Sequence, residues 1–224
     1  MGYYIDLEKI TLDQYGEKLK TAYLPPSRSI LRENTEERFG YFKNLGIKNI
    51  KELLQVLKKK DKLNELSKVS CFEGDYLVIL LRELNSTLPK PNKIRDFKDV
   101  SSETITKLES IGLKDTLKLF DKVKTKADRQ LLIKQTNISD TELLKLTKLT
   151  DLSRIKWVGA TFAIMLYQIG IDTVGKAANA DYNEVHQKIN QINKEESFFK
   201  GHIGLNDMKI FIEAAKDVPL EIEY

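Results

Sequence analysis

The sequence predicts an all-α fold of tandem helical repeats, and three observations carry that expectation. Helix-start signals recur: "NIKE" from Asn49, "SDTE" from Ser139 and "DYNE" from Asp181 each set a capping residue three positions before a Glu. Apolar residues then return at helical steps, as in Leu143, Leu146 and Leu149. A glycine-centred pattern also repeats. "NLGIKNIKELL" from Asn44, "SIGLKDTLKLF" from Ser110 and "QIGIDTVGKAA" from Gln168 each read as a helix end, a glycine, an apolar plug, a polar cap and a new helix. Gly46, Gly112 and Gly170 are therefore expected as structural glycines in the left-handed position that closes a helix.

In chain order, residues 1–34 read as an N-terminal arm with an extended joint at Pro25 and Pro26. Residues 35–90 read as a first hairpin-containing helical unit, and 91–224 as second and third repeats with a helix-hairpin-helix at 151–170. The loop "STLPKPNKIRDF", Ser86 to Phe97, marks the boundary, because its prolines remove backbone donors. The hairpin is "LSRIKWVGATFAIMLYQIG", Leu152 to Gly170, and a degenerate copy, "LSKVSCFEGDYLVILLREL", starts at Leu66. In that alignment Cys71 matches Trp157 and Glu73 matches Gly159. Strand signals are confined to "YYIDL" (Tyr3 to Leu7) and "LEIEY" (Leu220 to Tyr224), which could pair as a minor two-stranded sheet.

Composition narrows the function classes. Apolar residues are 41% and charged residues 31% of 224, ordinary values for a globular chain. The longest apolar run, "YLVILL", is too short to cross a bilayer, and the first residues carry no signal-peptide pattern. The single Cys71 makes a cytoplasmic location the default. The two histidines, His186 and His202, have no ligand pair at metal spacing, so neither a metal nor a cofactor is expected. No Walker, Rossmann or nucleophile-elbow pattern occurs. Charge is uneven. Residues 1–150 hold 29 Lys/Arg against 22 Asp/Glu, whereas residues 151–224 hold 8 against 11.

The stretches "TDLSRIKWVGATFAIMLYQIGIDTVGKAANADYNEVHQKINQIN" and "GLNDMKIFIEAAKDVPLEIEY" resemble a bacterial and archaeal family of unknown function built from tandem, degenerate helix-hairpin-helix units. The resemblance covers about the last 75 residues well. It implies an all-helical repeat fold and brings no activity with it.

Two readings compete for the hairpin. Phosphate-binding hairpins use a glycine pair so that backbone N–H groups reach an oxygen. Here Gly159 is the second glycine, but Trp157 stands at the first. A nucleic-acid contact would use Arg154, Lys156 and Gly159, with the basic tract Lys58, Lys59 and Lys60 upstream. A packing hairpin would instead bury the Trp157 indole against a neighbouring unit. The missing glycine, the acidic surroundings and Glu73 in the sister copy favour packing. Lys118, Lys122, Lys124, Lys126 and Arg129 alternate with acids and read as a solvated face. The expected function is a non-enzymatic binding or scaffolding module with a protein partner or a second copy of the chain. Weak, non-specific nucleic-acid binding is the alternative, and no membrane partner is expected.

Overall fold

The computed structural model describes residues 2–224 and is all-helical. It forms two compact units: Asp6–Leu88, and the residues up to Ile5 together with Pro89–Tyr224.

The first unit contains α1 (Leu12–Thr21), α2 (Thr35–Asn44), α3 (Ile50–Leu57), α4 (Lys60–Leu66) and α5 (Tyr76–Ser86), with 3₁₀ turns at Pro26–Arg32 and Ser70–Phe72. Leu12–Thr21 and Pro26–Arg32, within the stretch read as an arm, are helical. A reciprocal capping box between Thr11 and Gln14 starts α1, and α1 packs on α2. An aromatic stack fills this core. Phe42 lies 4.9 Å from Phe72 between ring centres, and Phe72 lies 5.9 Å from Tyr76. The Arg38 guanidinium covers the Tyr76 ring at 3.9 Å and donates from Nε to Cys71 O.

The second unit contains α6 (Ser102–Ser110), α7 (Thr116–Phe120), α8 (Lys126–Thr136), α9 (Asp140–Leu152), α10 (Ala160–Gln168), α11 (Val174–Ala178), α12 (Tyr182–Glu196) and α13 (Leu205–Lys216). Helix α9 is its axis and packs on α7, α8 and α10. Leu143, Leu146, Leu149 and Leu152 are fully buried along it, and Thr147 and Thr150 are buried beside them. Ser139 caps α9 through the Glu142 N–H. The Glu142 carboxylate does not return the bond; it accepts from Ser101 N and Thr104 Oγ1 on α6 instead. A capping signal read as local thus ties two helices together.

The glycine turns share one geometry. Gly46, Gly112 and Gly170 have φ of +81°, +86° and +85°. In each, the next residue's N–H reaches back to a carbonyl five positions earlier: Ile47 to Phe42, Leu113 to Leu108, Ile171 to Leu166. Asn49, Asp115 and Thr173 then cap the following helix with a side-chain oxygen. The first N–H of that helix bonds a carbonyl in two cases, Ile50 to Ile10 O and Thr116 to Asn92 O. In the third, Val174 N donates to the Asp151 carboxylate at 2.8 Å.

The two ends do not pair as strands, and among the described residues there is no sheet. A single buried side chain takes the place of that pairing. Arg154 Nε donates to Tyr3 O at 3.1 Å, and another guanidinium nitrogen donates to Pro219 O at 2.8 Å. Glu223 N donates to Lys124 O, Arg129 donates to Glu223 O, and Tyr224 Oη donates to Asp151 Oδ2.

Candidate functional site

The turn between α9 and α10 starts from two apolar anchors. Ile155 is fully buried and Val158 is 4% exposed. With both directed into the core, Trp157 between them is turned out, 45% exposed. Its φ is +67°, the left-handed region that L side chains rarely enter. The surroundings fix that conformation. Asn92 Nδ2 donates to both Ser153 Oγ and Val158 O, at 2.8 and 3.1 Å, and so clamps the turn on either side of the indole. Gly159, by contrast, has φ −80°, which any residue can adopt. The glycine and the conformation that favours glycine have exchanged places.

Trp157 forms one wall of an apolar cavity of about 260 Å³. Phe162, Phe199, Ile203, Met208 and Phe211 complete the apolar lining, and Lys156 and Asp207 line it as well. Phe162 and Phe211 meet edge to face at 5.5 Å. The Lys156 ammonium lies 4.2 Å from the Trp157 ring centre. Asp207 accepts the Gly204 N–H at 2.9 Å and so serves the start of α13.

The wall that carries Phe199 and Ile203 is an irregular segment between α12 and α13. One face of α12 holds it, through residues 186, 190 and 193. Asn193 accepts from Phe199 N at 2.7 Å and donates to Phe199 O at 3.1 Å. Asn190 Nδ2 and His186 Nε2 both bond Ile203 O at 3.0 Å. A carbonyl oxygen only accepts, so His186 Nε2 carries the proton. His202 meets His186 edge to face at 5.9 Å. The two histidines, 16 positions apart, thus meet where the segment after α12 packs back on that helix.

The residues expected to grip phosphate are not gathered. Arg154 is buried, with its guanidinium committed to Tyr3 O, Pro219 O and, at 2.8 Å, Asp151. A side chain so enclosed cannot follow a phosphate backbone. Lys156 lies at the cavity and Gly159 is exposed at the start of α10. Lys58, Lys59 and Lys60 are exposed at the α3–α4 junction, in the other unit. The charge asymmetry also dissolves when counted by unit. Residues 6–88 hold 15 Lys/Arg and 13 Asp/Glu, and the remainder 22 and 20, so each unit is +2. Trp157 departs from expectation too: its indole faces a cavity and solvent instead of being buried in packing.

The sister hairpin follows the same hydrogen-bond course at first. Ser67, Lys68, Val69 and Phe72 repeat the N–H bonds of Ser153, Arg154, Ile155 and Val158. Then Gly74 and Asp75 intervene before α5, so the single-offset alignment ends there. At the position matching Trp157, burial and then the Glu37 carboxylate push the Cys71 thiol up, away from thiolate reactivity.

Fold and cavity together define an all-helical protein with an exposed aromatic recess. The chain belongs to the family described as "Domain of unknown function (DUF4332)", which matches residues 98–218. The matched span contains every residue that lines the recess. No curated protein and no solved structure matches the chain. Among the described residues, no helix is long and apolar enough to cross a membrane.

Proposed function

We propose that the chain is a non-enzymatic binding module whose binding element is the Trp157 recess and whose partner is a protein. One observation carries this: an exposed indole held at φ +67°. Strain of this kind costs the folded state on the order of 1–3 kcal/mol and persists only where neighbours impose it. Covering the exposed part of the ring would return about 2–3 kcal/mol on association. The three glycine turns support the reading of the scaffold as a helical repeat.

Trp157 is the chain's single tryptophan, so its emission reports on this site alone. The test is capture from native lysate by wild type and by Trp157→Gly, each with and without nuclease. Capture that survives nuclease and disappears in the variant supports the module; equal capture by both proteins sinks it.

Nucleic acid is the second reading, favoured by Lys156 and exposed Gly159 beside the first turn of α10, and separately by the exposed tract Lys58, Lys59 and Lys60. Such binding would fall steeply with salt through counterion release. Tight duplex binding at moderate salt, lost in Lys156→Glu, would replace the protein-partner reading.

A further inference from the structure

We infer that Tyr3 is a positioning residue for the recess: its buried hydroxyl sets, through Thr116, Ser153 and Asn92, the left-handed turn that presents Trp157. The two residues lie 154 positions apart in the chain. The consequence for binding rests on the binding-module reading; the conformational role of Tyr3 does not.

The donors and acceptors follow atom by atom. Tyr3 Oη donates its only proton to Ser153 O at 3.2 Å. At its 2.8 Å bond with Thr116 Oγ1 it therefore accepts, and the threonine hydroxyl donates. Thr116 Oγ1 accepts in turn from Asn92 N at 3.1 Å. The two Nδ2 protons of Asn92 go to Ser153 Oγ at 2.8 Å and to Val158 O at 3.1 Å. Ser153 Oγ gives its own proton to Leu149 O, which leaves it an acceptor for Asn92. Each proton is used once, and the network ends on Val158, the residue after the indole. Tyr3, Thr116, Ser153 and Val158 are all buried, where a broken bond is costly. Burial also lifts the Tyr3 phenol well above its ordinary range, which keeps its proton in place.

Trp157 supplies the two states. At φ +67° the turn is disfavoured for an L residue, so it relaxes toward negative φ where its constraint weakens. That rotation swings the indole off the recess. Asn92 grips both sides of the turn, and Tyr3 holds the same parts from behind: Ser153 O directly, and the Asn92 backbone through Thr116. The tyrosine ring is not the transmitting part. It meets Phe120 edge to face at 5.6 Å, and the Tyr3 carbonyl accepts from Arg154, contacts that Tyr3→Phe retains.

The test reads Trp157 emission and its quenching by acrylamide in the folded protein, with a urea melt as a separate measure of stability. Tyr3→Phe and Thr116→Val each remove one hydroxyl with little change of volume. Both should move the emission to longer wavelength and increase quenching. Thr116→Ser keeps the hydroxyl and loses a buried methyl, so it should lower stability and leave the emission at its wild-type wavelength. Thr136→Val deletes a buried hydroxyl outside the network and should also leave the emission unmoved. Asn92→Ala should shift the emission, and Tyr3→Phe added to it should shift it no further. Wild-type emission and quenching in Tyr3→Phe and Thr116→Val overturn the assignment, whatever the melts show. Equal shifts in Thr116→Ser or Thr136→Val mean general loosening and overturn it as well. A further shift in the double variant overturns the route through Asn92. None of these readouts involves a partner, so they leave the binding module to be decided by capture on Trp157→Gly.

Discussion

At position 157 backbone and side chain pull against each other. The φ of +67° favours glycine, yet the residue is the chain's one tryptophan. Trp157→Gly should therefore leave stability within about 1 kcal/mol of wild type in a urea melt. Relief of left-handed strain offsets the lost ring contacts and the added freedom of the unfolded chain. That is far less than the roughly 3–5 kcal/mol typical of truncating a fully buried aromatic. A loss in that upper range would mean that the indole is a core residue. Arg154 is the opposite case. Its side chain is fully enclosed and paired with Asp151 at 2.8 Å. Arg154→Ala should cost about 3–5 kcal/mol, because it strands a buried carboxylate and frees two backbone carbonyls. Chemical denaturation checks this directly, and a change under 1 kcal/mol would show that water reaches the pair.

The elements of the fold show what sequence can and cannot convey. The glycine turns were legible because all their parts are neighbours: a glycine, an apolar plug and a polar cap within six positions. The caps at Asn49, Ser139 and Asp181 were legible for the same reason. The partners of those caps were not, since Glu142 reaches α6 and Asp151 reaches Val174. The recess was illegible as a site, because its lining is scattered from Lys156 to Phe211. The one local hint was the pair Phe198 and Phe199 inside an otherwise polar stretch. Gly170→Val should cost about 1–3 kcal/mol. Open space surrounds an added Cβ, so the cost is assigned to backbone strain at φ +85°. An unchanged melting temperature would show that the turn relaxes. Helix pairing also sets the acid response. Burial would raise the carboxyl of Asp172, but hydrogen bonds from Lys148 and Lys176 outweigh it and hold it below the usual range. A depressed folded pKa contributes stability above the unfolded value, and the contribution is lost as pH falls through the folded one. The melting temperature should therefore drop as pH falls below the ordinary carboxylate range. Lys148→Met should flatten that drop, and an identical pH profile in the variant would exclude the Asp172 contribution.

Across the whole molecule, the second unit is assembled from separated stretches of chain. Tyr3 Oη shares a 2.8 Å hydrogen bond with Thr116 Oγ1 and donates to Ser153 O at 3.2 Å, while its carbonyl accepts from Arg154. Tyr3→Ala should accelerate amide exchange around residues 116–120 and 150–155 and leave α1 to α3 unchanged. Uniform acceleration through both units would show that they unfold together. The last residues, held by Arg154, Arg129 and Lys124, should matter similarly. Removing residues 219–224 should lower the melting temperature without changing the mass in solution. The placement of Tyr3 also bears on how the protein is made. Its partners lie 113, 150 and 151 positions later. At about 5–20 residues per second, a ribosome delivers the last of them roughly 8–30 s after Tyr3. Residues 6–88 can close their own core well inside that interval. Tyr3 must wait with its aromatic ring still unburied, an interval in which a chaperone that grips short apolar segments would find its substrate.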